Sequence, residues 1–226
     1  MPRTIRTLGR KSAPRAHSER KQRSAGIARR KAILAAALRV FAEQGFDGAS
    51  TRAIAAAAGV EQGHLAYYFK SKESLWRAVV RSNSSKVEED IALGLEDVDL
   101  RKPVDVARDL LGRLLTNFAD NPYMTRLMLQ EFSVASPRHD WVVGEVGLPI
   151  WKRLEPLFIA LHKQGAIRGT EPAFSYLAIL GGALLFFGSQ PEVRVIANID
   201  SGNAVVARAF TEFLVKSIIP VTNKQT

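Results

Sequence analysis

Residues 50–69 read STRAIAAAAGVEQGHLAYYF, and this stretch decides how the chain folds. Ser50 is a favoured N-cap residue, and the alanine-rich segment Thr51–Ala58 predicts a short helix that a second helix can approach closely. Gly59 predicts the left-handed backbone that ends the first helix. A second helix is expected from about Gln62. The stretch therefore predicts two short helices joined by a tight glycine turn.

The second helix has an apolar side and a small, uncharged outer side. Leu65 and Phe69 lie one turn apart and are expected to face the core. The outer side carries Gly63, His64, Ala66 and Tyr67, with Gln62 and Tyr68 at the rims. This composition suits a helix that enters the DNA major groove, where carboxylates would be repelled by phosphate. An ordinary hairpin of an all-α domain is the alternative interpretation.

The residues on both sides of this hairpin follow a specific pattern. Before it, a helix is predicted with Ile33 and Phe41 on one face and its end at Gly45. After it, residues 67–75 read YYFKSKESL, in which Ser71 is expected to cap a fourth helix.

This pattern resembles the TetR family of bacterial repressors over residues 33–76. Beyond about residue 85, only helix content and length agree with the family. The resemblance implies an all-α protein, with an N-terminal three-helix DNA-binding domain that contains a helix-turn-helix. It also implies a larger C-terminal helical domain that binds an effector and forms a dimer.

The resemblance implies DNA contacts for eight residues. Those expected to face the groove are Arg52, Gln62, Gly63, His64 and Tyr67, and those expected to hold phosphates are Thr51, Tyr68 and Lys72. Lys72 would also lie near a helix N-terminus, which favours an anion. For Tyr68 a packing role at the rim is the alternative, and for His64 a surface position without a base contact. Ala66 stands where the family often has an aromatic residue, which leaves a gap in the expected surface.

Positive charge is concentrated at the N-terminus. Residues 1–31 hold eleven Lys or Arg against one acidic residue, which accounts for the whole net charge of +10. With few large apolar residues before Ile27, residues 1–25 are predicted to be disordered until they meet a polyanion. The hypothesis is an arm that follows the DNA backbone or enters the minor groove. A solubilising extension and an organelle transit peptide are the alternatives.

The length of 226 residues predicts a DNA-binding domain over 26–81 and an effector-binding and dimerisation domain over 82–226, with about nine helices in all. Later helices are expected over 104–119, 123–134, 136–164, 174–187 and 204–219. Pro149 and Pro156 are expected to kink or split the third of these. The absence of Cys excludes disulfides and thiol catalysis and suits a cytoplasmic protein. The longest apolar run, Phe174–Gly188, is too short for a membrane span, so no membrane partner is predicted.

The last two helices are candidates for a subunit interface. Residues 176–187 read YLAILGGALLFF, and a helix that is apolar nearly all round must be buried on every side. In a domain this small that suggests a partner subunit, as the resemblance also implies; a core helix in a monomer is the alternative. The candidate interface residues are Gly181, Gly182, Phe186, Phe187, Val206, Phe210 and Phe213.

An effector pocket is a further implication of the resemblance. Aromatic and Met side chains on the surrounding helices suit an apolar ligand, although core packing is the alternative for each. The candidates are Phe118, Met124, Met128, Phe132, Trp141 and Trp151.

Catalytic and metal-binding patterns are missing from the sequence. We find no glycine-rich phosphate loop and no nucleophile elbow, and the four His are far apart with no Cys, so neither an enzyme nor a bound metal or cofactor is predicted. The sequence favours a dimeric transcriptional regulator, in the family normally a repressor, that binds a palindromic double-stranded operator and responds to a small molecule. The alternative is a sequence-tolerant architectural DNA binder that relies on its basic tail.

Overall fold

The chain is described by a computed structural model over residues 13–219, with side chains from residue 20. Within this range it is all-α, as predicted, and a π-helical turn, Val143–Gly147, joins α7 to α8. The helices are α1 (Ala13–Gly48), α2 (Thr51–Ala57), α3 (Gln62–Tyr68), α4 (Lys72–Gly94), α5 (Pro103–Asp120), α6 (Pro122–Ser133), α7 (Pro137–Val142), α8 (Leu148–Lys163), α9 (Pro172–Gly188), α10 (Gln190–Ala197) and α11 (Ala204–Ile218).

The first helix begins earlier than expected. Residues 13–25, which were predicted to be disordered, form about the first third of α1, so the prediction is corrected for this part; residues 1–12 lie outside the described residues. The reason is that Ala, Arg, Lys, Gln and Glu are strong helix formers. Once the packed half of α1 is in place, extending it requires no new nucleation and no apolar burial.

The hairpin forms as the sequence predicts. Gly45 ends the regular part of α1 with a φ of 71°, and Gly59 ends α2 with a φ of 64°. At the start of α2, the side chain of Ser50 accepts a hydrogen bond from the backbone N–H of Ala53 at 3.1 Å. Leu65 on α3 is buried in the core that α1, α2 and α4 share.

Helix α4 runs from the hairpin into the C-terminal part of the chain. Ser71 and Ser74 form a reciprocal capping box at its start. Its first turns bury Trp76 and Val79 among the helices of the hairpin, whereas Ile91, four turns later, is buried against α5 and α8. One continuous helix therefore contributes to both apolar cores.

The break expected at Pro149 is a change of helical type, whereas Pro156 lies inside α8. The backbone N–H of Leu148 reaches the carbonyl of Val143, five residues earlier, across the π-helical turn, and Pro149 lies in the first turn of α8. Widening the helix relieves the clash that the proline ring would otherwise make with the preceding turn. Helix α10 was not predicted; it follows α9 after a bend of 87°.

Apolar packing ties the N-terminal helices to the middle of the chain. Leu127 and Met128 of α6, with Val142 of α7, lie in the same core as α1 and the hairpin. A second core contains α5, α8, α9 and α11. Among residues 13–219 no single helix is long and apolar enough to cross a membrane, although α9 and α10 pass that test when taken as a bent pair.

Candidate nucleic-acid interface and ligand cavity

The outer face of α3 is open to solvent. Gln62, Gly63, His64 and Ala66 are exposed, and Tyr67 is 82% exposed, while Leu65 between them is only 2% exposed. This alternation follows from the helical period, which puts Leu65 alone of these six residues on the inner side. The helix can therefore present its outer side chains to base edges.

Helix α2 adds side chains at the edge of this face. Arg52 is exposed in its first turn, and Thr51 before it is half-buried. The Ser50 cap fixes the direction in which α2 starts, so it also fixes the position of these two residues.

Lys72 has a structural role that was not predicted from the sequence. Its ammonium donates to three backbone carbonyls: that of Phe46 at 2.8 Å, that of Ala49 at 3.0 Å and that of Asp47 at 3.3 Å. It also lies 4.5 Å from the centre of the Phe46 ring. All three donors of the ammonium are in use, so Lys72 closes the carbonyl end of α1, and the phosphate contact stays a prediction.

Tyr68 joins α3 to the N-terminal part of α1. Its hydroxyl donates to the carbonyl of Gly26 at 3.4 Å, and its ring packs edge-on against that of Tyr67 at 5.3 Å. Of the two roles considered for this half-buried residue, these contacts favour packing. No local pattern in the sequence indicates the Gly26 contact, because the partner lies 42 residues away.

The part of α1 that contacts α3 is strongly basic. Its described cationic side chains are all exposed, and the guanidinium of Arg30 lies 5.5 Å from the centre of the Phe69 ring at the end of α3. These exposed residues are Arg20, Lys21, Arg23, Arg29, Arg30 and Lys31. A positively charged surface therefore adjoins the uncharged face of α3.

A cavity of about 220 Å³ lies beside α4 in the C-terminal part of the chain. Four of the six predicted pocket residues line it: Phe118, Met124, Met128 and Phe132. The sequence reasoning missed the polar lining residues, since Asn and Ser are common at helix surfaces and ends. They are Ser82, Asn83, Ser84, Lys86, Asn117, Asn121, Thr125 and Tyr176.

The two tryptophans predicted in the pocket lie elsewhere, which corrects that prediction. The Trp141 ring packs against Trp76 at 5.5 Å and has Arg77 and Arg81 of α4 over it, each 5.1 Å from its centre. The Trp151 ring packs in the second core, 4.9 Å from that of Tyr176. Both are large, half-buried side chains that helix packing holds outside the cavity.

The seven candidate interface residues divide into an outer and an inner group. Gly181 and Phe213 are exposed, whereas Phe187 is buried in the core of its own chain. A Cβ on Gly182 would lie 3.2 Å from Leu214 of α11, so this glycine serves a crossing within the chain. Besides Gly182, the half-buried members are Phe186, which stacks on Phe210 at 3.7 Å between ring centres, and Val206.

An exposed apolar stripe follows the outer side of α9 and α11. Phe174, Leu177 and Leu185 of α9 are each more than half exposed, as are Val205 and Phe213 of α11. The three α9 residues were not predicted as interface residues, because α9 is apolar on all sides and its sequence does not show which side is exposed. Within residues 13–219, no group of three His, Asp or Glu is placed to hold a metal ion.

Comparisons with known proteins agree with this geometry. Residues 33–79 match the model of the bacterial regulatory proteins of the tetR family. The HTH-type transcriptional regulator RutR of Escherichia coli O157:H7 is 34% identical over 177 residues, which cover 78% of this chain and 82% of RutR; the identity is 28% for RutR of strain K12.

Two further proteins are similar over different extents. The HTH-type transcriptional repressor AcnR of Corynebacterium diphtheriae is 28% identical over 131 residues, 58% of this chain and 53% of AcnR. A crystal structure of AibR in complex with isovaleryl coenzyme A and operator DNA superposes with a TM-score of 0.66 at 20% identity, covering 85% of this chain and 98% of AibR. The second similarity concerns the fold alone.

Proposed function

The chain belongs to the TetR family of bacterial regulatory proteins, and from this premise we propose that it is a dimeric repressor that binds a palindromic operator and is released by a small molecule. The observation that carries the proposal is the outer face of α3, exposed and without acidic groups between Gln62 and Tyr67. An exposed helix of this composition, held from behind by Leu65, is what major-groove reading requires.

Sequence reading is assigned to the exposed polar side chains of α2 and α3. Gln62 can donate to and accept from adenine, His64 can donate to a guanine acceptor, and Arg52 can make a bidentate contact with guanine. Tyr67 contributes an exposed aromatic surface. Gly63 lets the backbone approach closely, and Thr51 is assigned to a phosphate.

Dimerisation is assigned to the exposed stripe of α9 and α11. Five large apolar side chains, each more than half exposed, are costly to leave in water, and a second copy of the same stripe would cover them. Two copies would give two α3 helices related by a two-fold axis. Such a pair matches two half-sites one helical turn of DNA apart, or a multiple of it.

Release by an effector is assigned to the cavity beside α4. Asn83 and Val87 of α4 line the cavity, and the same helix buries Trp76 and Val79 in the core of the hairpin. A ligand that moves α4 would change the spacing of the two α3 helices, and binding of ligand and DNA would then oppose each other by the same free energy.

Selection of bound DNA from a random pool tests the proposal most directly. We expect an enriched sequence made of two inverted half-sites, because the symmetry of the dimer should appear in its site. Enrichment of an asymmetric or directly repeated site would contradict the dimer model.

A second candidate is a sequence-tolerant DNA binder that relies on α1. The six exposed cations between Arg20 and Lys31 favour it, since phosphate contacts alone do not depend on sequence. Binding to the selected site and to random duplexes, measured at several salt concentrations, separates the two functions. Affinities within a few-fold of each other at physiological salt would support the second.

A further inference from the structure

Two asparagine side chains place hydrogen-bond acceptors at the apolar cavity. The Nδ2 of Asn83 donates to the carbonyl of Val79 at 2.8 Å, and the Nδ2 of Asn121 donates to the carbonyl of Asn117 at 2.9 Å. Flipping either amide would set its oxygen against a carbonyl oxygen, so these bonds fix which end is which. Each Oδ1 is therefore an acceptor for another partner, and both residues line the cavity.

Charged side chains are scarce among the residues that line this cavity. No carboxylate is among the described lining residues, and the one charged residue, Lys86, is exposed at the edge that the cavity shares with a neighbouring open groove. Burial raises the pKa of Tyr176, so this side chain is a neutral phenol at ordinary pH. A charged group deep in the cavity would lose its hydration without gaining an ionic partner there.

We propose that the effector is a neutral, largely apolar molecule of about bicyclic-ring size, with an N–H or O–H that donates to Asn83 or Asn121. A cavity of about 150 Å³ is known to hold benzene, so one of about 220 Å³ holds a somewhat larger group. The inference rests on the proposed function, in which this cavity takes the effector. Asn83 also links such a ligand to α4, the helix that enters the hairpin core.

Indole and benzofuran test this inference as a matched pair. They share a bicyclic shape, but only indole has an N–H donor. Titration of the full chain in a calorimeter, without DNA, should show indole binding about tenfold or more tightly than benzofuran, because benzofuran would cover the amide oxygen of Asn83 or Asn121 without donating a hydrogen bond to it. The double substitution Asn83→Leu with Asn121→Leu should remove this preference. Ser85→Ala, on the exposed side of α4, should retain it.

Three results would overturn the inference: equal binding of the two probes, tighter binding of indole-2-carboxylate than of indole, or no binding of indole. If circular dichroism shows that the double variant is unfolded, Asn83→Ala and Asn121→Ala replace it, and an undiminished preference in both counts against the inference. The titration contains no DNA, so an enriched palindromic site without a preference for indole would reject the ligand class alone. A preference for indole without an enriched site would reject the regulator alone.

Discussion

Lys72 shows how a residue that looks like a DNA contact can also shape the domain that makes the contacts. Its ammonium bonds the carbonyls of Phe46, Asp47 and Ala49, which immediately precede the α2 cap at Ser50. Replacing Lys72 with Met retains the aliphatic stem and removes all three bonds. We expect a loss of roughly 1.5–3 kcal/mol in the free energy of unfolding, as for hydrogen bonds to a charged group, measured by urea denaturation.

Lys70 provides the matched control, because it is exposed and lies two residues away. Lys70→Met should leave stability within about 0.5 kcal/mol of the parent. A Lys72→Met protein of unchanged stability that nevertheless loses DNA affinity would support the phosphate contact first predicted.

His64 is the side chain for which base reading is most open to test. It is exposed on the outer face of α3, and Leu65 behind it supports the helix independently. His64→Ala should cost about 1–3 kcal/mol at one base pair of each half-site, as for a lost direct contact. Selected-site sequencing should then show relaxed preference at that position. An unchanged site and affinity would leave His64 as a surface residue without a base contact.

Local signals predicted the hairpin, but the partners of single side chains lay beyond their reach. The Ser50 cap and the Gly59 turn depend on neighbours within a few residues, so the sequence alone indicates both. Lys72 contacts residues 23 to 26 positions earlier, and Trp141 lies against Trp76. Such pairings follow from helix packing, and nothing in the local composition of either partner marks them.

Helices differ in the same way. Residues 13–25 of α1 are helical although their sequence has few large apolar residues to pack in a core. A rule based on apolar burial therefore predicted disorder where helix propensity prevails. The π-helical turn occurs where Pro149 required a break, although the sequence did not indicate its type. The short α10 has no buried apolar face, since Val195 and Ile196 are each 85% exposed, so the sequence pattern did not indicate it.

The basic segment of α1, residues 20–31, is expected to bind DNA phosphates as a helix beside α3. The Tyr68 contact with Gly26 holds the two helices together. Replacing Arg20, Lys21 and Arg23 with Gln retains helix propensity and removes three exposed charges. Each lost phosphate contact should lower the slope of log affinity against log salt by about 0.9, measured by fluorescence anisotropy on the selected site. A slope equal to that of the parent would reduce this segment to a solubilising extension.

The contact of α7 with α4 is expected to transmit ligand binding to the hairpin. Trp141 lies under Arg77 and Arg81, and Arg81 also pairs with Glu145 of the π-helical turn at 3.2 Å. Val146 of that turn lines the cavity. Trp141→Leu should therefore keep operator affinity but reduce the ligand's effect on it, which is typically 5- to 150-fold in allosteric proteins, toward none. Titrating operator with and without ligand measures this effect, and full ligand response in the variant would place the coupling elsewhere.

At the scale of the whole molecule, operator recognition should depend on a surface far from DNA. Leu177 is 57% exposed in the middle of the α9 stripe, and a charge there would be buried without a partner in the proposed dimer. Leu177→Glu should give a folded monomer in sedimentation equilibrium. Because one α3 reads only half of a palindrome, the monomer should lose most of its affinity for the full site while retaining the weak, salt-sensitive binding of a single domain.

Leu93→Glu is the control for this substitution, since Leu93 is 60% exposed on α4, outside the α9 and α11 stripe. The Leu93 variant should remain dimeric and bind as the parent does, because its new charge stays in water. A Leu177→Glu protein that is still dimeric would move the interface away from α9. Should that variant be monomeric and still bind the full site with parental affinity, two-fold symmetry would not be the basis of recognition, and the exposed stripe would need a partner other than a second copy of this chain.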